Sequence, residues 1–208
     1  LMDAVLSGFW LGVMSDKSLD LYDELHYNKS EKYTDDNYNL SGLFEWEKER
    51  IVKYFSKSKK ILLLAAGGGR ETVALIRMGY IVDSYECNRK LVEYGNVFLQ
   101  KYTKDYIIKY LQKDSVPDLI RKYDGIIIGW GAYSHIRGSE KRIAFLEQLQ
   151  QFINKDAPLM ISFLTKEERG RQEKTTKKVA NFFRLLRNRD KIETGDRLQA
   201  SFIHYFTR

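Results

Sequence analysis

From Leu62 to Glu71 the chain reads Leu-Leu-Leu-Ala-Ala-Gly-Gly-Gly-Arg-Glu. An apolar run that ends in glycines and turns straight into a helix lets backbone approach a ligand where any side chain would collide with it. The helix N-terminus adds a partial positive charge beside that point. Glu86 stands 19 residues after Gly67, at the end of the next apolar run. A carboxylate there is expected to accept both ribose hydroxyls of a nucleoside-containing cofactor. A bare turn and a surface carboxylate are the plainer readings, but consecutive glycines carry an entropic penalty that a plain turn does not need. Thr72 stands where a dinucleotide fingerprint requires a third small residue, so a ligand without a pyrophosphate suits the bend better.

The elements that must position these groups follow from periodicity. The continuous apolar run Ile61–Ala66 reads as a strand buried on both faces, Tyr80–Glu86 as a second strand, Tyr106–Leu111 as a weaker third, Tyr123–Gly129 as a strong fourth and Leu159–Leu164 as a fifth. Between them fall a helix over Arg70–Met78, stopped by Gly79, and a helix capped by Asn88 that carries Leu91, Val92, Gly95, Phe98 and Leu99 on one face. A third helix spans Glu140–Ile153, with Ile143, Leu146, Leu149, Gln150 and Ile153 expected inward. The order β-α-β-α-β-β-α-β predicts an α/β, Rossmann-like, mostly parallel sheet with helices on both faces. The Tyr-rich leader, residues 1–58, reads as helical, with Ser41 as a helix cap and Phe44 and Ile51 turned inward. It is expected to belong to the same domain as residues 59–208. Residues 171–187 read as a basic helix with Val179, Phe182, Phe183 and Leu186 inward, and Ala200–Phe206 as one more extended segment.

Residues 59–164 resemble the class I S-adenosylmethionine-dependent methyltransferases. Lys60-Ile-Leu-Leu-Leu-Ala-Ala-Gly-Gly-Gly resembles the family's first motif, which implies cofactor contacts from Ala66, Gly67, Gly68 and Gly69. The sequence departs from the motif in having Ala65 and Ala66 where an acidic residue often stands, so the cofactor's ammonium must be met by carbonyls or from elsewhere. Tyr85-Glu86 resembles the second motif, which gives Glu86 the ribose. Lys113-Asp114-Ser115-Val116-Pro117 is similar to the third, which implies that Asp114 accepts from the adenine amine with Ser115 beside the ring. Tyr123-Asp-Gly-Ile-Ile-Ile-Gly-Trp-Gly-Ala-Tyr-Ser-His resembles the fourth strand and the loop that borders the transferred methyl. Trp130 and Tyr133 would flank the methionine part or the substrate, and His135 would take the acceptor's proton. Aromatic packing and a structural histidine are the plainer alternatives. Tyr33 and Tyr38 of the leader would bond the cofactor carboxylate or close the pocket, as in lid-bearing small-molecule methyltransferases. The family usually ends in a helix and a hairpin that closes the sheet. Here only Thr207 and Arg208 follow Phe206, so an incomplete C-terminal closure is expected.

Composition narrows the classes. The lone cysteine, Cys87, rules out an internal disulfide and fits a reducing compartment, so a cytoplasmic protein is expected. No apolar run is long enough to span a bilayer. No Cys/His/Asp grouping has metal-ligand spacing, so no metal is expected. Net charge is +7, with 11 Lys/Arg against 6 Asp/Glu over residues 165–197. That segment supports the alternative of an RNA or protein methyltransferase, against a solvated helix face. The favoured expectation is methyl transfer to an O or N atom of a small molecule. An NAD(P)-dependent oxidoreductase and a non-catalytic nucleotide-binding module stand as further alternatives.

Overall fold

The computed structural model describes residues 1–166 and 170–207. Positions 167–169 of the basic segment therefore lie outside the described residues. Four helices precede the first strand: α1 (Met2–Val13), α2 (Asp16–Lys29), α3 (Asp36–Leu40) and α4 (Glu45–Tyr54). The chain packs as two compact units, one of residues 1–27, 131–142 and 163–208, the other of residues 28–130 and 143–162. The leader contributes to both.

The second unit holds a five-stranded parallel sheet in the order β3-β2-β1-β4-β5. Its strands are β1 (Lys60–Leu64), β2 (Ile81–Glu86), β3 (Ile108–Tyr110), β4 (Gly125–Ile128) and β5 (Leu159–Ile161). The runs Ile61–Leu64 and Ile126–Ile128 are buried throughout, as central parallel strands require. Strand order reverses between β1 and β4, with β2 and β3 on one side and β5 on the other. Helices α5 (Arg70–Arg77) and α6 (Arg89–Gln100) follow β1 and β2. Asn88 caps α6 as expected, its Oδ1 accepting the Leu91 N–H at 3.0 Å. Leu91, Gly95, Phe98 and Leu99 of that helix are buried. At the end of β4, Gly129 donates to the Leu64 carbonyl, and a Cβ there would lie 2.2 Å from the Ala65 oxygen. Only glycine lets the two central strands come this close at their carboxyl ends.

Three local expectations are corrected. Ser41 does not open α4. Its hydroxyl bonds the Tyr38 carbonyl at the end of α3, and α4 is opened by Glu47, whose carboxylate accepts the Phe44 N–H at 2.7 Å. In α7 (Ser139–Gln150) the inward positions are Arg142, Phe145 and Leu149, while Ile143 is 56% exposed. The buried Arg142 pairs there with the half-buried Glu193, a partner that apolar spacing does not register. In α8 (Arg171–Leu186) the buried residues are Glu173, Thr176, Ala180 and Arg184, while Phe182 and Leu186 face solvent. The cause is α1, whose Gly8 and Gly12 lie against α8. A Cβ on Gly12 would sit 2.8 Å from the Ala180 oxygen. Backbones this close admit only small facing side chains, so Thr176 and Ala180 take the interface.

The first unit is completed by β6 (Thr165–Lys166), β7 (Asp196–Leu198), β8 (Phe202–His204) and β9 (Phe206–Thr207), where β6 pairs with β9 and β7 with β8. The segment 200–206 thus forms short pairs of its own and does not extend the five-stranded sheet.

Candidate cofactor site at the carboxyl edge of the sheet

The chain leaves β1 through Ala65, held at φ +57°, and bends at Gly67, at φ +56°, and Gly69, at φ +109°. A Cβ built on Gly67 meets nothing within 4 Å, so this glycine borders open space. Gly68 differs. A Cβ there would lie 2.1 Å from the Tyr33 carbonyl oxygen, so the leader's backbone rests directly on the bend. Gly95 closes the bend from below, where a Cβ would approach the Gly68 oxygen to 3.2 Å.

Glu86 points at the bend. Its Oε2 accepts the Gly67 N–H at 2.8 Å, and its Oε1 accepts the N–H groups of Cys87 and Asn88, both at 2.8 Å. A carboxylate offers about four lone-pair sites. Three are taken by backbone, one of them on the oxygen nearer Gly67, and the Cys87 thiol is a further hydrogen-bond partner of the carboxylate. Accepting both ribose hydroxyls, as expected of Glu86, would draw on lone pairs that these donors now use. The residue is 6% exposed, and its backbone donors fix the direction of the carboxylate.

The turn after β3 carries Asp114, at φ +57°, and Ser115, whose hydroxyl donates to the Lys113 carbonyl at 3.4 Å. The Cys87 thiol has a raised pKa, caused first by desolvation and then by Glu86, and Lys113 and Asp114 also act on it. The third-motif turn is thereby brought to the end of β2, beside Glu86.

An aromatic group from the leader and the end of β4 stands over the other side. Tyr33 and Tyr38 meet edge to face with ring centroids 5.9 Å apart, and Phe44 meets Trp130 likewise at 5.9 Å. Lys32 lies 4.8 Å from the Tyr38 ring centre and 5.9 Å from that of Trp130. Burial raises the Tyr33 pKa, and Glu71 and Glu86 raise it further against the pull of Arg70, so the phenol is neutral and able to donate. Burial likewise raises the Tyr38 pKa.

Sequence reading did not single out the charged group beneath these rings. Arg70 donates from Nη1 and Nη2 to Glu47 at 2.8 and 2.9 Å, from Nη2 to Glu71 at 2.5 Å, and to the Gly42 carbonyl at 2.7 Å. Its guanidinium carbon lies 4.0 Å over the Phe44 ring. All three charged residues are buried. The available signal was the pair Arg70-Glu71 directly after the glycines, since charged residues are rarely buried without partners.

Tyr133 and His135 belong to the first unit, in a 3-10 turn over Ala132–His135. The Tyr133 hydroxyl donates to the Arg142 carbonyl at 3.3 Å, and its ring stacks on Phe206. Burial raises its pKa. These are contacts of aromatic packing, the plainer alternative for Tyr133. His135 has its Nε2 3.1 Å from the Tyr27 hydroxyl. In the same unit Glu193, Asp196 and His204 bring ligand-type atoms within 4.8 Å of one another, a grouping that sequence spacing did not show. Protein donors already occupy it. Glu193 accepts from Ser139 N–H and Arg142, and Asp196 accepts from Glu193 N–H and bonds His204 at 2.7 Å. Arg142 supplies the positive charge there, so the grouping reads as a buried ion network. Lys166, Arg184 and Arg197 of the basic segment are likewise paired, with Glu173 or Asp16.

No family model matches the sequence, and no curated protein matches it. Solved structures do match. One is the glycopeptide N-methyltransferase MtfA complexed with sinefungin, 17% identical, with a TM-score of 0.51 over 60% of this chain and 51% of that one. The chain shares the class I methyltransferase fold. Two others are DesVI of Streptomyces venezuelae, at 10% identity over 73% and 59% of the chains, and an S-adenosylmethionine-dependent methyltransferase of Clostridium acetobutylicum, at 16% over 68% and 54%. Their TM-scores are 0.48 and 0.46. The chain spans about half the length of the first of these methyltransferase-fold neighbours. Among the described residues no helix is long and apolar enough to cross a membrane.

Proposed function

We propose that this chain is the cofactor-binding part of an S-adenosylmethionine-dependent methyltransferase acting on an O or N atom of a small molecule. The observation that carries the reading is the Glu86–Gly67 hydrogen bond: it fixes a carboxylate beside a glycine that faces open space, at the carboxyl edge of a parallel sheet. The residues fit the group, since a ribose hydroxyl needs one acceptor and an adenosyl chain needs backbone without side chains. We assign the border of the adenine to Asp114 and Ser115, in the turn after β3. Adenosylmethionine supplies a methyl group on a sulfonium that is its own leaving group, so the protein is left with orientation and proton removal. The aromatic group of Tyr33, Tyr38, Phe44 and Trp130 supports a small, partly apolar acceptor, and the neighbour MtfA is named for a glycopeptide. We assign proton removal to His135, whose ring is oriented by Tyr27.

The test is calorimetry with S-adenosylhomocysteine, NAD and NADP side by side. Binding of S-adenosylhomocysteine alone is expected. Binding of NAD or NADP in its place would overturn the reading in favour of an oxidoreductase. Binding of S-adenosylhomocysteine without methyl transfer from labelled cofactor to any small-molecule pool would overturn the enzymatic part in favour of a binding module.

A further inference from the structure

The end of β1 lacks an acid, yet a buried carboxylate lies close by on the other side of the bend. Glu71 is the second residue of α5, and the Trp130 backbone N–H at the end of β4 bonds its carboxylate. Glu86 closes β2, on the opposite flank of β1. The two carboxylates therefore bracket the glycine bend, with Glu71 on the side where strand order reverses, the position at which open parallel sheets bind ligands.

The charge count around Glu71 is uneven. Arg70 is the single cation of the buried group and faces two carboxylates. Glu47 takes two of its donors and also caps α4, whereas Glu71 receives one. One negative charge is left without a matching cation. A buried anion in that condition carries a large desolvation penalty unless a positive partner arrives. Burial accordingly raises the Glu71 pKa, against the pull of Arg70.

A second, independent observation points the same way. Asn39 is buried on α3, which packs on α5. Its Nδ2 is committed to the carbonyls of Tyr33, at 3.1 Å, and Asp35, at 2.8 Å, which fixes the orientation of the amide. Its Oδ1 has no donor among the described residues, and it lies 3.0 Å from where a Cβ on Gly68 would stand. A buried acceptor without a donor and a surplus carboxylate thus lie along the same bend.

We infer that Glu71 is the counter-charge for the α-amino group of the adenosyl cofactor, taking over from α5 the task that an acid at the end of β1 would perform, with Asn39 Oδ1 as a second acceptor. This rests on the adenosyl reading proposed above. Glu71 is a positioning residue here: it orients the amino-acid end of the ligand and takes no part in bond making.

The experiment compares S-adenosylhomocysteine with 5′-methylthioadenosine, which keeps the adenosine and the sulfur but lacks the amino acid, by calorimetry on wild type and Glu71→Gln. The expected result is a loss of tenfold or more in affinity for S-adenosylhomocysteine in the variant, with 5′-methylthioadenosine unchanged. An equal loss for both ligands, or no loss for either, would overturn the assignment, since a scaffold role touches both alike. Wild type that binds neither compound would overturn the adenosyl reading itself. Should Glu71→Gln not fold, Glu71→Asp keeps a charge for Arg70 while drawing the carboxylate back, and the same selective loss is expected. Glu47→Gln is the control: it shares Arg70 and is expected to lower the melting temperature without separating the two ligands.

Discussion

Replacing Glu86 by glutamine tests the centre of the site with one atom exchanged. The carboxylate holds three backbone N–H groups, all at 2.8 Å, from Gly67, Cys87 and Asn88. A glutamine amide has one oxygen, so in either orientation its nitrogen faces at least one of these donors. With the oxygen toward Cys87 and Asn88, the Gly67 N–H loses its acceptor; with the oxygen toward Gly67, two donors lose theirs. The first orientation is the less costly. Leaving a buried donor unsatisfied costs about 1–3 kcal/mol, and converting two charge-assisted bonds to neutral ones costs roughly 1 kcal/mol each. The sum is about 3–5 kcal/mol. For a chain of this size, each kcal/mol lowers the melting temperature by roughly 2–4 °C, so a fall of about 6–20 °C is expected by calorimetric melting. The ligand term is separate. The oxygen beside Gly67 becomes an amide nitrogen in that orientation, and one charged hydrogen bond to a ribose hydroxyl is worth about 1.5–3 kcal/mol, or roughly 10- to 150-fold in affinity for S-adenosylhomocysteine. A Glu86→Gln protein that melts with wild type and binds S-adenosylhomocysteine as tightly would refute the reasoning, since both effects derive from the same three bonds.

Further predictions concern positions whose roles the structure separates. Gly68→Ala is expected to lose about 1–3 kcal/mol in denaturant titration, because its methyl group meets the Tyr33 carbonyl, whereas Gly67→Ala, with open space around it, is expected to weaken S-adenosylhomocysteine more than it lowers stability. Gly12→Val in α1 is expected to destabilise by several kcal/mol in the same titration, since Ala180 and Phe183 leave no room for a side chain. Burial disfavours the Glu193 charge, but Ser139 and Arg142 more than offset this and lower its pKa to about 2. The stabilisation is thus complete above the unfolded glutamate value near 4.3 and is lost as pH falls towards 2, and Glu193→Gln is expected to flatten the stability profile over that window by about 1–3 kcal/mol in acid titrations followed by circular dichroism. His135→Ala is expected to slow turnover more than it weakens cofactor binding, and a variant with unaltered turnover would make His135 structural.

The strand–bend–helix pattern was legible because it is local. Three glycines, a buried apolar run on each side and an acid closing the next strand are contiguous signals, and β1, α5, β2, the Asn88 cap and Glu86 all stand where spacing put them. What escaped depends on partners far along the chain. The faces of α7 and α8 were assigned from apolar periodicity, but the buried Arg142 pairs with Glu193, and α8 turns small residues towards glycines that lie more than 160 positions earlier. The Arg70–Glu47–Glu71 group was invisible for the same reason: Glu47 comes from the leader, 23 residues before Arg70. The saturation of Glu86 by backbone was equally hidden, because no pattern of residue types shows how many lone pairs the main chain has already claimed.

The pairing of α1 with α8 has a consequence for how the chain is made. Met2–Val13 is made before residues 14–170, and its packing partner, Arg171–Leu186, only after them. Residues 28–130 and 143–162 can condense while synthesis continues, but α1, with its glycine ridge and apolar flank, must wait until α8 has been made before it finds its seat. Closing so long a loop adds little to the equilibrium entropy, which grows only logarithmically with length, but such distant contacts slow assembly. For that interval α1 is a natural client for a chaperone.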